Sequence, residues 1–258
     1  MKSQSKKLQS RGRIHVGTSG FQYDEWKGTF YPQNLAKPKM LSYYAERFDT
    51  TEINYTFRRI PTEKTLNNWS AATPAHFLFS LKAPEKITHR AKLRDCAETV
   101  NLFHRVVSVL GEKLGVVLFQ LHPSLQKDAP LLSAFLEELP KGMRSAFEFR
   151  HASWFTDEVF NILQAHNIAL CIAETEELKT PVQSTADYGY FRLRRTDYKP
   201  KDIANWAEQI LGLTPEGSHA FVYFKHEETG VGPKFAQSLV ELTGGQPPPP
   251  NGDSPLLL

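Results

Sequence analysis

The amino-acid sequence predicts a TIM-type (β/α)8 barrel, an α/β fold in which eight parallel strands alternate with helical connections. The first observation is that eight short β-branched and aromatic runs are separated by segments in which apolar residues mostly recur every three or four positions. The second is length, since residues 13–243 hold all the units and a closed barrel needs about 250 residues. An open doubly wound sheet is the alternative. It is disfavoured because no G-x-G-x-x-G turn follows the first predicted strand.

The predicted strands are short runs rich in β-branched and aromatic residues, and turn-forming or polar residues bound them. Side chains alternate between the two faces of such a run, so an outward apolar set can be told from an inward polar set. In chain order the predicted strands cover residues 14–17, 50–54, 77–82, 115–121, 146–150, 168–173, 189–194 and 220–225.

Most connections carry apolar residues at helical spacing, and the first has a proline at its start, where proline is favoured. The connection 174–186 is polar and is expected to hold at most one turn of helix. The predicted helices cover residues 38–48, 62–72, 96–110, 131–139, 155–166, 202–211 and 233–242.

The composition is typical of one soluble domain, with 40% hydrophobic and 23% charged residues. Residues 13–243 are expected to form this single barrel domain, and 1–12 and the Pro- and Gly-rich 244–258 are expected to be disordered tails. No apolar run reaches the roughly 18 residues that a membrane span needs. No apolar segment follows the basic N-terminus either, so no secretory signal is predicted.

The cysteines and the charge balance bear on compartment and partners. Cys96 and Cys171 lie far apart without C-x-x-C spacing, which indicates buried thiols and a cytoplasmic protein. The net charge is +3, and four of the 31 lysines and arginines lie in the first dozen residues. Nucleic-acid binding is therefore permitted without being specifically indicated, since it would need a basic stripe on the folded surface. The sequence carries no signal for an oligomeric state.

Polar residues late in several predicted strands identify the carboxyl mouth of the barrel as the candidate site. On strand five, Phe147 and Phe149 share one face and pack outward, so Glu148 and Arg150 point into the barrel. Barrel active sites are built at this mouth from the ends of several strands. The predicted ring consists of Glu52, Asn54, Lys82, Gln120, Glu148, Arg150 and Arg192.

A structural ion-pair lattice is the alternative explanation of this ring. Strand seven places Tyr190, Arg192 and Arg194 on one face, and a buried ion costs several kcal/mol unless it is paired. Paired charges that only close the barrel would satisfy that requirement. The number of polar groups at one end and their mixed charge favour a small polar ligand.

Six short motifs occur in order along the chain. They read G-T-S-G-F-x-Y-x-x-W (17–26), T-E-I-N-Y-T-F (51–57), L-K-A-P-x-x-I-T-H (81–89), L-F-Q-L-H-P (118–123), F-E-F-R-H-A-S-W (147–154) and Y-F-R-L (190–193). Together they resemble the YecE-like proteins, the family called domain of unknown function 72. The resemblance spans about residues 13–243 and implies a TIM-type barrel, without implying a particular reaction. The chain departs from the family pattern at Arg194-Arg195, where a His-Gly pair is common, and at 224–227, where an F-x-N-N-like segment is usual.

Three charged residues of the ring are candidates for catalysis. Glu52 and Glu148 lie on strands two and five, which face each other across the lumen, so the two carboxylates could flank a substrate. Arg150 on the same strand favours an orienting role for Glu148, because ion pairing lowers the pKa of a carboxyl. Lys82 is interpreted as a cation for phosphate or carboxylate, with a base or Schiff-base role as the alternative.

Further candidate ligand-binding residues flank the ring. Ser19 belongs to the Gly-Thr-Ser-Gly segment 17–20, whose backbone N–H groups could hold an anion, with a plain tight loop as the alternative. Tyr23 and Trp26 are candidates to stack on a planar ligand, with packing of a lid on the barrel as the favoured alternative, and Trp154 is a further candidate to stack on an exposed base. The set is completed by Asn54, Gln120, Arg150, His151 and Arg192.

Four histidines near strand ends raise a divalent metal site as an alternative, with Glu52, Glu148 and Glu174 as oxygen ligands. None of the histidines has H-x-H or H-E-x-x-H spacing, and loop histidines are commonly polar surface residues. We therefore predict neither a metal ion nor another cofactor. The four histidines are His89, His122, His151 and His226.

Three functions of different classes are compatible with the sequence. The first and favoured one is an enzyme, a hydrolase, lyase or isomerase, that acts on a small phosphorylated or carboxylated molecule held by Lys82, Arg150 and Arg192. The second is a nucleic-acid-binding or nuclease-like barrel, in which basic residues contact phosphates and aromatic rings stack on bases. The third is a non-catalytic barrel that binds a ligand or partner, with purely structural carboxylates.

Overall fold

The computed structural model describes residues 12–175, 178–225 and 230–244 of the 258-residue chain. The two predicted tails therefore lie outside the described residues, except for Gly12 and Gly244. The backbone N–H of Gly12 donates to the Thr214 carbonyl at 3.3 Å. Gly244 ends the last helix with a φ of 70°. Within the described ranges, no helix combines the length and the apolar character that crossing a bilayer requires.

Eight parallel strands form a nearly closed barrel, which confirms the predicted fold class. The strands follow the cyclic order β1-β8-β7-β6-β5-β4-β3-β2, so the open doubly wound alternative is wrong. Every observed strand overlaps its predicted run, with bounds that differ by one or two residues. The strands are β1 Arg13–Thr18, β2 Thr50–Ile53, β3 Leu78–Lys82, β4 Leu114–Gln120, β5 Ser145–Glu148, β6 Ala169–Glu174, β7 Tyr188–Leu193 and β8 His219–Phe224.

The α-helices lie in the predicted connections, and the described part of the β6–β7 connection holds none, as its polar sequence predicted. The short α-helix Tyr55–Arg58 and the π-helix Lys86–Arg90 were not predicted, because neither is long enough to show an apolar period. Single 3-10 turns occupy Asp24–Trp26, Lys37–Lys39 and Ala152–Trp154, and a longer 3-10 segment that is kinked at Gly111 occupies Ser108–Lys113. The α-helices are α1 Met40–Ala45, α2 Tyr55–Arg58 (the unpredicted one), α3 Glu63–Ala71, α4 Ala97–Val107, α5 Ala129–Glu137, α6 Asp157–Ala165, α7 Pro200–Leu213 and α8 Val231–Thr243.

The joint between β1 and β2 is built differently from the other strand pairs. The hydroxyl of Tyr44, in α1, accepts a hydrogen bond from the Thr18 backbone N–H at 2.7 Å and donates one to the Thr50 carbonyl at 3.1 Å. Gly17 permits this approach, since a Cβ there would lie only 2.1 Å from the Thr50 carbonyl oxygen. A side-chain hydroxyl thus replaces part of the backbone ladder at this joint, which we call the tyrosine joint.

Two hydrophobic clusters fill the molecule. The larger lies between strands and helices, and it includes Phe147 and Phe149, which confirms that both point outward. The smaller fills the lumen, where small residues alternate with aromatic ones. Both cysteines are buried free thiols, as predicted. The lumen cluster consists of Val116, Leu118, Ala146, Ala169, Cys171, Ala173, Tyr188, Tyr190, Phe221 and Tyr223.

Candidate functional site

The centre of the carboxyl mouth is one guanidinium held between two carboxylates. Arg192, on β7, donates from Nη2 to Glu52 Oε1 at 2.8 Å and from Nη1 to Glu148 Oε2 at 2.5 Å. The side chain of Arg192 is 2% exposed and those of Glu52 and Glu148 are fully buried. Because unpaired ions are not tolerated at such depth, the three side chains lock one another in place. The predicted ring therefore has an ion triad at its centre.

The Glu52 carboxylate is saturated by further donors. Its Oε1 also accepts from the Ser19 hydroxyl at 2.5 Å, and its Oε2 accepts from the Tyr190 hydroxyl at 2.7 Å. Asn54 Nδ2 in turn donates to the Ser19 oxygen at 2.7 Å. Burial acts to raise the pKa of Glu52, but the charge of Arg192 and these hydrogen bonds outweigh it and hold the pKa below its usual range.

The Glu148 carboxylate also accepts hydrogen bonds from further donors besides Arg192. Its Oε1 accepts from Gln120 Nε2 at 2.8 Å, and Arg150 Nη1 approaches the same oxygen at 3.5 Å. Burial acts to raise the pKa of Glu148, yet the charges of Arg192, Arg194 and Arg150 bring it down to about 2. Both carboxyls are therefore charged at neutral pH, which suits orienting Arg192 better than donating a proton.

Lys82 is the cation of the ring that has no carboxylate partner among the described residues. Its Nζ donates to Gln120 Oε1 at 2.8 Å and lies 4.0 Å from the centre of the Phe57 ring. Burial, followed by the charge of Arg192, lowers the pKa of Lys82 to about 8. A lysine with neutral and aromatic neighbours at a half-buried position has donors to spare for a ligand.

Arg194 was not among the predicted site residues, although strand alternation places it on the face of Arg192. It follows β7 directly and is half-buried. Its side chain forms no hydrogen bond or ion pair within the described part of the chain. Burial and then the charge of Arg192 lower its pKa. The signal that could have found it was present, since it lies two residues beyond Arg192.

Both tryptophans predicted to stack on a ligand are buried, so that prediction is wrong. Trp26 is fully buried beside Phe30. Trp154 is fully buried as well, stacks on Phe149 at 4.8 Å and donates from Nε1 to the Leu125 carbonyl at 2.7 Å. Sequence spacing does not tell an aromatic ring that lines a mouth from one that packs beneath it, and here the packing alternative holds.

Tyr23 lies at the edge of a separate hollow. Its hydroxyl donates to the Ser19 carbonyl at 2.8 Å, and its ring lies 4.8 Å from that of Trp26. The hollow has a volume of about 340 Å³ and also includes Asn54 and the half-exposed Tyr55. It therefore adjoins the ring through Asn54 and Ser19.

The Gly-Thr-Ser-Gly segment does not form the proposed cradle of backbone N–H groups. The N–H of Thr18 donates to the Tyr44 hydroxyl, that of Ser19 to the Phe224 carbonyl at 2.9 Å, and that of Gly20 to the Glu52 carbonyl at 2.7 Å. All three N–H groups are consumed in closing the barrel. The contribution of this segment to the site is the Ser19 hydroxyl.

The predicted histidines do not converge. The rings of His89 and His122 lie 5.2 Å apart, whereas His151 accepts from the Ser153 backbone N–H at 3.2 Å and caps a 3-10 turn. His226 lies outside the described residues. Across the ranges that the structure covers, no three His, Cys, Asp or Glu side chains are grouped to hold a metal ion.

Comparisons with known proteins agree with the barrel fold. The family described as "Protein of unknown function DUF72" matches residues 15–255. The UPF0759 protein YunF of Bacillus subtilis is 25% identical, over 89% of this chain and 94% of its own. A crystal structure of a DUF72 family protein from Thermotoga maritima has a TM-score of 0.81 and 26% identity, covering 90% of this chain and 99% of the other. One from Enterococcus faecalis has a TM-score of 0.77 and 19% identity, covering 90% and 95%. The chain belongs to the DUF72 family.

Proposed function

We propose that this barrel binds a small phosphorylated or carboxylated molecule at its carboxyl mouth. The observation that supports the proposal is an excess of positive charge. Among the described residues of the mouth, two buried carboxylates lie among four cations, and one of these cations, Arg192, already donates a hydrogen bond to each carboxylate. Half-buried charges without counter-ions are costly, and a bound anion would offset that cost. The four cations are Lys82, Arg150, Arg192 and Arg194.

The donors left for a ligand come from the ends of three strands, and the charges of all three side chains act on Glu148. Lys82 ends β3, Arg150 follows β5 and Arg194 follows β7. Lys82 uses one N–H on Gln120, which leaves two, and within the described part of the chain the guanidinium of Arg194 keeps all its donors. Guanidinium groups bind carboxylate and phosphate with two parallel hydrogen bonds.

The alternatives fit less well. A nucleic-acid-binding barrel would use Trp26 and Trp154 for stacking, and both are buried. A purely structural lattice accounts for Glu52, Arg192 and Glu148, which satisfy one another. It does not account for Lys82 or Arg194, because neither has a carboxylate partner among the described residues.

Thermal unfolding with inorganic phosphate, compared with chloride at equal ionic strength, tests the proposal. We expect a saturable rise of about 5 °C in Tm, since a ligand at 100 times its Kd adds about 2.7 kcal/mol. Arg194→Met should abolish the rise. The matched control is Arg105→Met, on the exposed face of α4, which should leave the rise unchanged. An equal rise in Arg194→Met and wild type, or none with phosphate, pyrophosphate and citrate, would contradict the proposal.

A further inference from the structure

We propose that Lys82 is a nucleophile that condenses with a carbonyl group, so that the molecule bound at this mouth is a small aldehyde or ketone carrying a carboxylate or phosphate. This inference rests on the proposed function, because the anionic group would be held by Arg150 and Arg194. It adds a reacting atom, the Nζ of Lys82, and a substrate class.

The first support is the orientation of the amine. Lys82 Nζ is held by a neutral amide oxygen, Gln120 Oε1, at 2.8 Å. The amide cannot rotate freely, because its Nε2 donates to Glu148 at 2.8 Å. Gln120 therefore presents an acceptor to Lys82 and fixes the amine without placing a carboxylate on it. An amide oxygen accepts from the ammonium and from the neutral amine alike, so the position survives loss of the proton.

The second support is the ease with which this amine loses a proton. Burial, together with the positive charge of Arg192, lowers the pKa of Lys82 to about 8, against the opposing charges of Glu52 and Glu148. The Phe57 ring, 4.0 Å from Nζ, contributes an apolar neighbour. Lysines that form Schiff bases are activated by burial and neighbouring cations in this way. The charged and titratable groups around it are Glu52, Glu148, Arg192, Arg194 and His89.

The chemistry balances without a further reagent. The Lys82 ammonium releases one proton to water, and the nitrogen lone pair attacks the carbonyl carbon. The carbonyl π pair moves to oxygen, and a proton passes from the nitrogen to that oxygen, which gives a neutral carbinolamine. The proton released at the start returns to the hydroxyl, water leaves, and the nitrogen lone pair closes the C=N bond. One ammonium and one carbonyl have then become one protonated imine and one water. The oxyanion that develops at the attack step is stabilised by the nearby guanidinium groups.

Trapping with glyoxylate and sodium cyanoborohydride tests the inference. Glyoxylate is a small aldehyde with a carboxylate, and the reagent reduces the imine to a stable secondary amine that peptide mass mapping locates. We expect Lys82 to be labelled about tenfold faster at pH 7.5 than the exposed Lys86, because the lowered pKa of Lys82 leaves part of this amine neutral at that pH. The labelling rate of Lys82 should level off above about pH 8.

Two variants test the assignment to Lys82. Lys82→Arg cannot form an imine, so it should lose labelling at this position. Lys86→Arg is the matched control, and in this variant Lys82 should be labelled at the wild-type rate. If Lys82 is labelled no faster than Lys86 while phosphate still raises the Tm, the nucleophile is wrong and the anion site stands. Rapid labelling of Lys82 without any rise of Tm from phosphate overturns the anion site alone.

Discussion

The two ends of the barrel lumen each hold a buried basic side chain between two partners, but they are built from different chemistry. At the carboxyl end, Arg192 lies between two carboxylates. At the amino end, His15 contacts Asp49 Oδ2 through Nδ1 at 2.7 Å and His219 Nδ1 through Nε2 at 3.1 Å, with 1% of its surface exposed. The centre of the carboxyl end holds an arginine with two carboxylates that are charged at neutral pH, and the centre of the amino end holds one carboxylate with two histidines.

Under the proposed function, one end of this barrel stabilises the fold and the other end binds the ligand. At the amino end, the Asp49 carboxylate contacts His15 at 2.7 Å and Arg13 at 3.9 Å. Among the described residues, the carboxyl end holds more cations than its two buried carboxylates pair with. This division agrees with the general placement of active sites at the carboxyl mouth. The following variants test this contrast between the two ends of the barrel.

Arg192→Met should have the largest effect. It leaves Glu52 and Glu148 buried without a cation, so the free energy of unfolding should fall by about 3–5 kcal/mol in urea denaturation. Arg150→Met is the matched control, since Arg150 is 28% exposed and 3.5 Å from Glu148, and it should cost about 1 kcal/mol or less. Equal losses in the two variants would show that the centre of the mouth is no more structural than its rim.

Glu148→Gln should have a smaller effect, because Arg192 keeps Glu52 as a partner. We expect a loss of about 2 kcal/mol, since one charged hydrogen bond of a buried guanidinium weakens. Phosphate binding should persist or become tighter, because the mouth gains positive charge. A variant that keeps full stability but loses phosphate binding would indicate that Glu148 contacts the ligand directly.

Asp49→Asn tests the amino end. The His15 ring loses a charged partner but keeps its contact with His219, so we expect a loss of about 1–2 kcal/mol and no change in phosphate binding. The matched control is Asp187→Asn, because Asp187 is exposed and accepts a hydrogen bond from Asn167. This variant should leave the free energy of unfolding almost unchanged. Loss of phosphate binding in Asp49→Asn would show that the two ends are coupled.

The pH dependence of stability should separate the ends most finely. Burial and the charge of His15 lower the pKa of His219, so the unfolded chain takes up the proton first and stability falls as the pH drops below about 6.5. Glu148, with a pKa of about 2, retains its stabilising effect until the pH falls below about 4.3 and loses it towards 2. His219→Gln should reduce the dependence of stability on pH below about pH 6.5. Glu148→Gln should reduce it between about pH 4.3 and 2.

A control is needed for the range below about pH 6.5, because burial and neighbouring cations lower the pKa of His89 to about 4. His89 therefore destabilises the fold over the same range, although it lies at the carboxyl end. His89→Gln and His219→Gln, measured by chemical denaturation at several pH values, divide the effect between the ends. If neither variant changes the slope of the unfolding free energy against pH between about pH 6.5 and 5, desolvation of the His89 and His219 rings does not determine that slope.

The fold and the members of the ring could be predicted because both follow from local periodicity. Alternation along β5 places Glu148 inward between Phe147 and Phe149, and the structure has that arrangement. The pairing of Arg192 with Glu52 could not be predicted, because it joins two strands across the lumen. Whether Trp26 and Trp154 are buried could not be decided from the sequence for the same reason, since spacing gives the face of a residue but not what covers that face.

The tyrosine joint has a consequence for association between molecules. A closed barrel offers no strand edge, whereas an open sheet presents unpaired N–H and C=O groups that another chain can join. Between β1 and β2, the Tyr44 hydroxyl occupies the N–H of Thr18 and the C=O of Thr50. A chain without that hydroxyl would carry two partial edges and become prone to strand addition and aggregation. One phenolic oxygen thus helps to keep the sheet closed to strands from other molecules.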